Sequence, residues 1–153
     1  MNAIMVLFFG VLGFVLLGKV EREHLQGVQT FSRADVAASS AILLRTASKC
    51  YLHYNPGHSG EITWANISAS TQCRPLGMQA PLNLKATVDG GRLYVYSTAA
   101  VSPETLSRIS EKMHRSPIVA KNVSGMAISV AGTLGGFHTP STIPNDALVI
   151  VGN

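Results

Sequence analysis

Apolar side chains fall along this chain in three patterns. Ala3 to Gly18 carries nothing but apolar residues and glycine. Between residues 32 and 54, apolar positions recur every third or fourth residue. Beyond Gly60 they alternate with polar ones in short runs broken by turn formers. A helix and a strand have different side-chain periods, so each pattern predicts its own element.

The first pattern predicts a membrane helix. Its sixteen residues rise about 24 Å, somewhat less than a hydrocarbon core of roughly 30 Å, and Lys19 and Arg22 can extend the span by snorkelling. A buried core helix is the alternative, but a helix apolar on every face leaves no solvent side in a domain of this size. Ala3, Phe8, Phe9, Phe14 and Leu17 are the expected anchor residues. A secretory signal wants positive charge before the apolar run and small residues at a cleavage site after it. Neither is present, so the expectation is an uncleaved anchor with its juxtamembrane segment over residues 1–29 and a folded body over 30–153.

The second pattern predicts one amphipathic helix over residues 32–54. Val36, Leu43, Leu44, Ala47 and Tyr51 would form its buried stripe, with Arg45 and Lys49 on the other side. Thr30 or Ser32 can cap it, Asp35 sits in or near its first turn, and Asn55-Pro56-Gly57 stops it. In the third pattern, Leu84–Val88 and Arg92–Tyr96 flank Asp89-Gly90-Gly91 as a hairpin. Ser102-Pro103-Glu104 opens a shorter helix with Leu106, Ile109 and Met113 inward, closed by Ser116-Pro117. Met126–Val130 and Ala147–Val151 complete the expected strands. The sum is an α+β body: a long amphipathic helix packed on a mostly antiparallel sheet, with one further short helix.

Composition narrows the class. The 153 residues are 46% hydrophobic and 13% charged, with 12 Lys+Arg against 8 Asp+Glu. Hydrophobicity that high excludes a disordered chain, and no internal repeat supports a rod or an array. The basic residues are not interleaved with aromatics, so the excess charge does not predict a nucleic-acid partner. It is read as solubility or attraction to anionic lipid headgroups.

Cys50 and Cys73 are the only cysteines. Neither has a neighbour at zinc-ligand spacing, and the pair is not a Cys-x-x-Cys redox motif. Behind an anchor, they predict a disulfide that closes residues 51–72 against the end of the long helix, and with it an oxidising compartment. Lys19, Arg22 and Arg33 pull the other way, because the positive-inside rule taken alone favours a cytoplasmic body. The reading adopted is an exported body.

No reaction centre emerges. Gly57-His58-Ser59-Gly60 is only superficially similar to the nucleophile loop of trypsin-like proteases, and it lacks the spacing of a nucleophile elbow. His24, His53, His58, His114 and His138 are scattered, and the acids are isolated. Gly132 to Gly136 lacks the strand, spacing and helix of a phosphate loop. Asn66-Ile67-Ser68 and Asn122-Val123-Ser124 fit the glycosylation triplet, a pattern short enough to arise by chance. The expectation is a tethered, non-enzymatic body with no cofactor, no metal, no nucleic acid and no small-molecule substrate.

Several phrases together carry a family likeness. They are Leu43-Leu44-Arg45-Thr46-Ala47, the run Cys50-Tyr51-Leu52-His53-Tyr54-Asn55-Pro56-Gly57, and Gly60-Glu61-Ile62-Thr63-Trp64. Gly91-Arg92-Leu93-Tyr94-Val95-Tyr96-Ser97 and the ending Ile143-Pro144-Asn145-Asp146-Ala147-Leu148-Val149-Ile150-Val151 follow. With the apolar start, this layout resembles the small PilM proteins of conjugative thin-pilus (type IVb) systems, which are unrelated to the larger actin-like proteins of that name. The resemblance implies a single-pass inner-membrane component of the pilus assembly machine, with its C-terminal body in the periplasm among other pilus-assembly proteins. It implies a scaffold or adaptor of the basal body and no catalytic role. A minor pilin or pseudopilin is the alternative, since it shares the plan of anchor, helix and sheet. Prepilins carry Gly before the cleavage point and Glu at the fifth mature position. Here a cut after Gly13 would leave Phe14 first and Gly18 fifth.

Overall fold

The structure, a computed structural model, describes residues 33–75, 79–116, 118–132 and 136–152. Ala3, Phe8, Phe9, Phe14 and Leu17 lie outside these residues, as do Gly27, Thr30, Ser32 and Pro117. Among the described residues no helix is long and apolar enough to cross a membrane. The body from Asp35 to Asn153 is one compact unit, distinct from residues 1–34.

Helix α1 covers residues 33–54. It ends where the stop residues stand, with Asn55 Nδ2 donating to the Tyr51 carbonyl at 2.9 Å. Its buried stripe is Ala38, Ala41, Leu44 and Ala47, with Ser48 beside them. Val36 and Leu43, expected inside, are instead 63% and 45% exposed. The reason is size. Alanines let the helix backbone lie close against the sheet, and the two larger residues fall about a third of a turn away from that line. Arg45 is a second correction, because it is half-buried rather than solvated. Its Nε is shielded without a hydrogen-bond partner among the described residues, and desolvation lowers its pKa from the usual arginine value. Lys49 is exposed, as expected.

After α1 the elements are β1 (Gly60–Ile62), α2 (Trp64–Ala69), β2 (Leu84–Asp89), β3 (Arg92–Ala100) and α3 (Pro103–Lys112). Then come β4 (Val119–Val123), β5 (Met126–Ser129), β6 (Phe137–His138) and β7 (Ala147–Gly152). The strands form one sheet in the order β1-β2-β3-β7-β4-β5-β6, and every neighbouring pair is antiparallel. The expected hairpin is β2–β3. Its turn is Gly90-Gly91, with φ of 54° and 74°, while Asp89 pairs with Arg92 inside the ladder. Two positive φ angles make the mirror-image turn whose twist suits a hairpin, which glycine adopts without strain.

Helix α3 forms as expected. Ser102 Oγ accepts from the Thr105 N–H, Pro103 opens the helix, and Leu106 and Ile109 are buried. Lys112 ties it to α1, reaching Asp35 Oδ1 at 3.0 Å and Ser39 Oγ at 2.8 Å. Helix α2 and strands β1, β4 and β6 are not among the sequence expectations. Thr63 and Asn66 start α2 by capping each other's backbone N–H groups, and Ile67 drops into the core. Ile62, Ile67, Val88, Val95, Ile109, Val119, Leu148 and Ile150 join the α1 stripe in the main core, on the face of the sheet that α1 and α3 cover. Tyr94, Tyr96, Val149 and Val151 fill a smaller core on the opposite face, beneath Ile143 and Phe137.

Candidate interaction surface

Asn122 organises the second face. It is 1% exposed, and its Nδ2 donates at 2.9 Å to both the Ile143 and the Pro144 carbonyls. Its Oδ1 accepts from Thr139 Oγ1 at 2.9 Å, and its backbone carbonyl accepts from the Asp146 N–H at 2.8 Å. One amide side chain therefore pins residues 139–146 as a strap across β7 and β4. Satisfied in this way, a buried polar group stabilises the strap instead of opposing burial. The Asn122 nitrogen that a glycan would need is consumed, so this triplet is structural. Ser97 does a related task where β3 shifts register between Tyr96 and Ala100. Its hydroxyl donates to the Ala99 carbonyl at 2.6 Å and accepts from the Leu148 N–H at 2.9 Å, closing the ladder across the bulge.

The two covers are offset along the sheet. On the strap side, Glu61, Lys85, Thr87 and Thr98 of β1–β3 stay open beside Thr142 and Pro144, around a polar recess of about 460 Å³. Glu61 and Lys85 pair there at 3.1 Å. On the helix side, no described element covers β4–β5. Val123 faces Met126, and Lys121 faces Ile128, so Val123, Met126, Ile128 and Val130 share that side while Ala127 and Ser129 turn inward under the strap. The four are between 38% (Met126, Val130) and 47% (Ile128) exposed. A cavity of about 590 Å³ runs between α3 and the end of this strip. Grouped apolar side chains left in water make this strip the candidate contact surface.

The expected strand at Met126–Val130 forms over Met126–Ser129, but its alternation does not reveal which side is exposed. Large residues alternating with Ala127 and Ser129 point to the opposite burial. Only the strap, held by Asn122 and Lys121 of β4, reverses it.

The two cysteines come together as expected. Cys50 and Cys73 are disulfide-bonded with their Cα atoms 5.4 Å apart, which locks the end of α1 to the loop after α2. Of the histidines, His58 lies edge-on to the Tyr51 ring, 5.3 Å between centroids, with Nε2 3.3 Å from the Glu61 carbonyl. His53 lies edge-on to Tyr54. Ser59 is exposed beside His58. Among the described residues no three His, Cys, Asp or Glu side chains converge.

A family model described as PilM matches residues 7–151. The chain belongs to the PilM family. No curated protein sequence matches it. Among solved structures it is similar to the crystal structure of a protein described as PilM from Escherichia coli B7A. That likeness has a TM-score of 0.62 at 19% identity, over 81% of this chain and 94% of that one. At that identity it establishes a shared fold. The family match establishes the pilus association that the sequence phrases pointed to.

Proposed function

We propose that the chain is a non-enzymatic, single-pass component of the inner membrane in a type IV (conjugative thin) pilus assembly machine. Residues 3–18 hold it in the bilayer, with Lys19 and Arg22 at the interface. The body lies in the periplasm and acts as a scaffold or adaptor among other pilus-assembly proteins. The observation that carries this reading is the Cys50–Cys73 bond in a family member that begins with sixteen apolar residues. Disulfides persist in oxidising compartments, and a lipid segment ahead of the body would keep it at the membrane. The apolar strip on β4–β5 supports contact as its mode of action.

Deleting the gene, then restoring it in two forms, tests the proposal. Cells without the protein should assemble no thin pili, the full chain should restore them, and a chain lacking residues 3–18 should not. Normal pili in the deletion strain would refute the assembly role. Full rescue by the truncated chain would refute the anchored scaffold.

A further inference from the structure

We propose that the uncovered helix-side face of β4 and β5 seats one amphipathic α-helix of a partner protein, with an acidic residue of that helix against Arg115. This deepens the adaptor reading, and rests on it for the partner's being a pilus-assembly protein. The floor is the strip of Val123, Met126, Ile128 and Val130. Two strands lie 4.7–4.9 Å apart, so the β4–β5 face is about 10 Å wide, the diameter of one helix, with Lys121 standing beside Ile128 on its β4 half. From Met126 to Val130 the chain runs about 13 Å, a length that about two and a half helical turns cover. Helix α3 supplies a wall, since the cavity beside the strip is lined by Leu106, Ser110, Glu111 and Arg115.

The occupant is a helix and not an added strand, because the outer edge of β5 is already engaged. β6 pairs with Met126 and Ala127. Further along, the chain folds back, with the Gly132 N–H on the Ser129 carbonyl at 3.2 Å and the Ala131 N–H on Ser129 Oγ at 3.3 Å. Among the described residues only a face remains open here, and apolar faces take up helices by their i, i+3, i+4 side chains.

Charge chooses among helices. Around the groove, Glu111 pairs with Arg108 at 2.6 Å, Lys112 with Asp35 at 3.0 Å and Lys121 with Asp146 at 2.6 Å. Arg115 lines the groove and has no acidic partner among the described residues. Its backbone is fixed there by a hydrogen bond from its N–H to the Ser110 carbonyl. A second copy of this chain would bring a second unpaired Arg115 and a net charge of +4 against +4, which disfavours self-association through this face.

The test uses the full chain in phosphatidylcholine nanodiscs, with empty nanodiscs as the blank. Two fluorescent amphipathic peptides serve as probes, identical on a leucine face but flanked by Glu in one and Lys in the other. The Glu-flanked helix should bind at least about tenfold more tightly, Ile128→Asp should weaken it by at least about tenfold, and Arg115→Glu should reverse the preference. Ile128 is 47% exposed, so its variant should melt with the parent. Should that variant misfold, the Arg115→Glu reversal decides alone. Equal affinity for both peptides, indifference to these substitutions, or dimerisation through Ile128 would overturn the proposal. Peptide selectivity alongside normal pili in the deletion strain would instead overturn the pilus role and leave the groove standing.

Discussion

At the scale of single residues, two buried polar side chains make opposite contributions. Asn122 spends its amide on three partners in the strap and holds it by these contacts. Truncation would orphan the buried Ile143 carbonyl, take one of the Pro144 carbonyl's two donors (the Ala147 N–H remains) and leave the Thr139 hydroxyl without its acceptor. Asn122→Ala should therefore cost about 2–4 kcal/mol, read as a lower urea midpoint of the full chain in mild detergent. Ser48 is fully buried in α1, and its hydroxyl has no partner among the described residues. Ser48→Ala removes an unsatisfied group and places the best helix former at that position. It should raise stability by about 1 kcal/mol in the same measurement.

At the scale of elements, α3 shows how local chemistry sets a boundary. Glu104, in its first turn, takes a hydrogen bond from its own backbone N–H and another from the Ser102 hydroxyl, and together these hold its pKa below the usual glutamate value. A carboxylate whose pKa is depressed in the folded state contributes stability at neutral pH, and loses it as pH falls through that depressed value. Melting of Glu104→Gln followed from neutral pH downward should fall less steeply with acid than melting of the parent. Elements with such punctuation were legible in the sequence: α3 from Ser102-Pro103-Glu104, the end of α1 from Asn55-Pro56-Gly57, and the β2–β3 hairpin from its glycines. Helix α2 was not, because six residues carry too little periodicity and its start rests on Thr63 and Asn66 finding each other. Strand β4 escaped for a related reason. Lys121 and Asn122 break its apolar run, and Asn122 makes sense only once the strap lies over it. The rotation of α1 was hidden too, since a hydrophobic count weights Val36 and Leu43 above the alanines that in fact pack. The contact strip was illegible for want of that same long-range information.

For the whole molecule, the disulfide and the proposed membrane segment belong to one argument. Cys50 and Cys73, 23 residues apart, close a loop that holds β1 and α2, and the chain-entropy account gives about 3 kcal/mol for a loop of that length. Reduction of the full chain should lower its unfolding free energy by about that amount, checked by urea titration with and without reductant. Such a bond is useful only where it stays oxidised, which sets it against the positive charges that follow the apolar start. The proposed placement of the body, outside the inner membrane and held to it, is therefore the central claim. A Ser59→Cys variant places a thiol on the exposed loop between α1 and β1, and a membrane-impermeant maleimide applied to intact spheroplasts reads its location. The account predicts modification before lysis, with the labelled protein sedimenting with the membranes; modification only after lysis, or a labelled protein that stays in the supernatant, would contradict it.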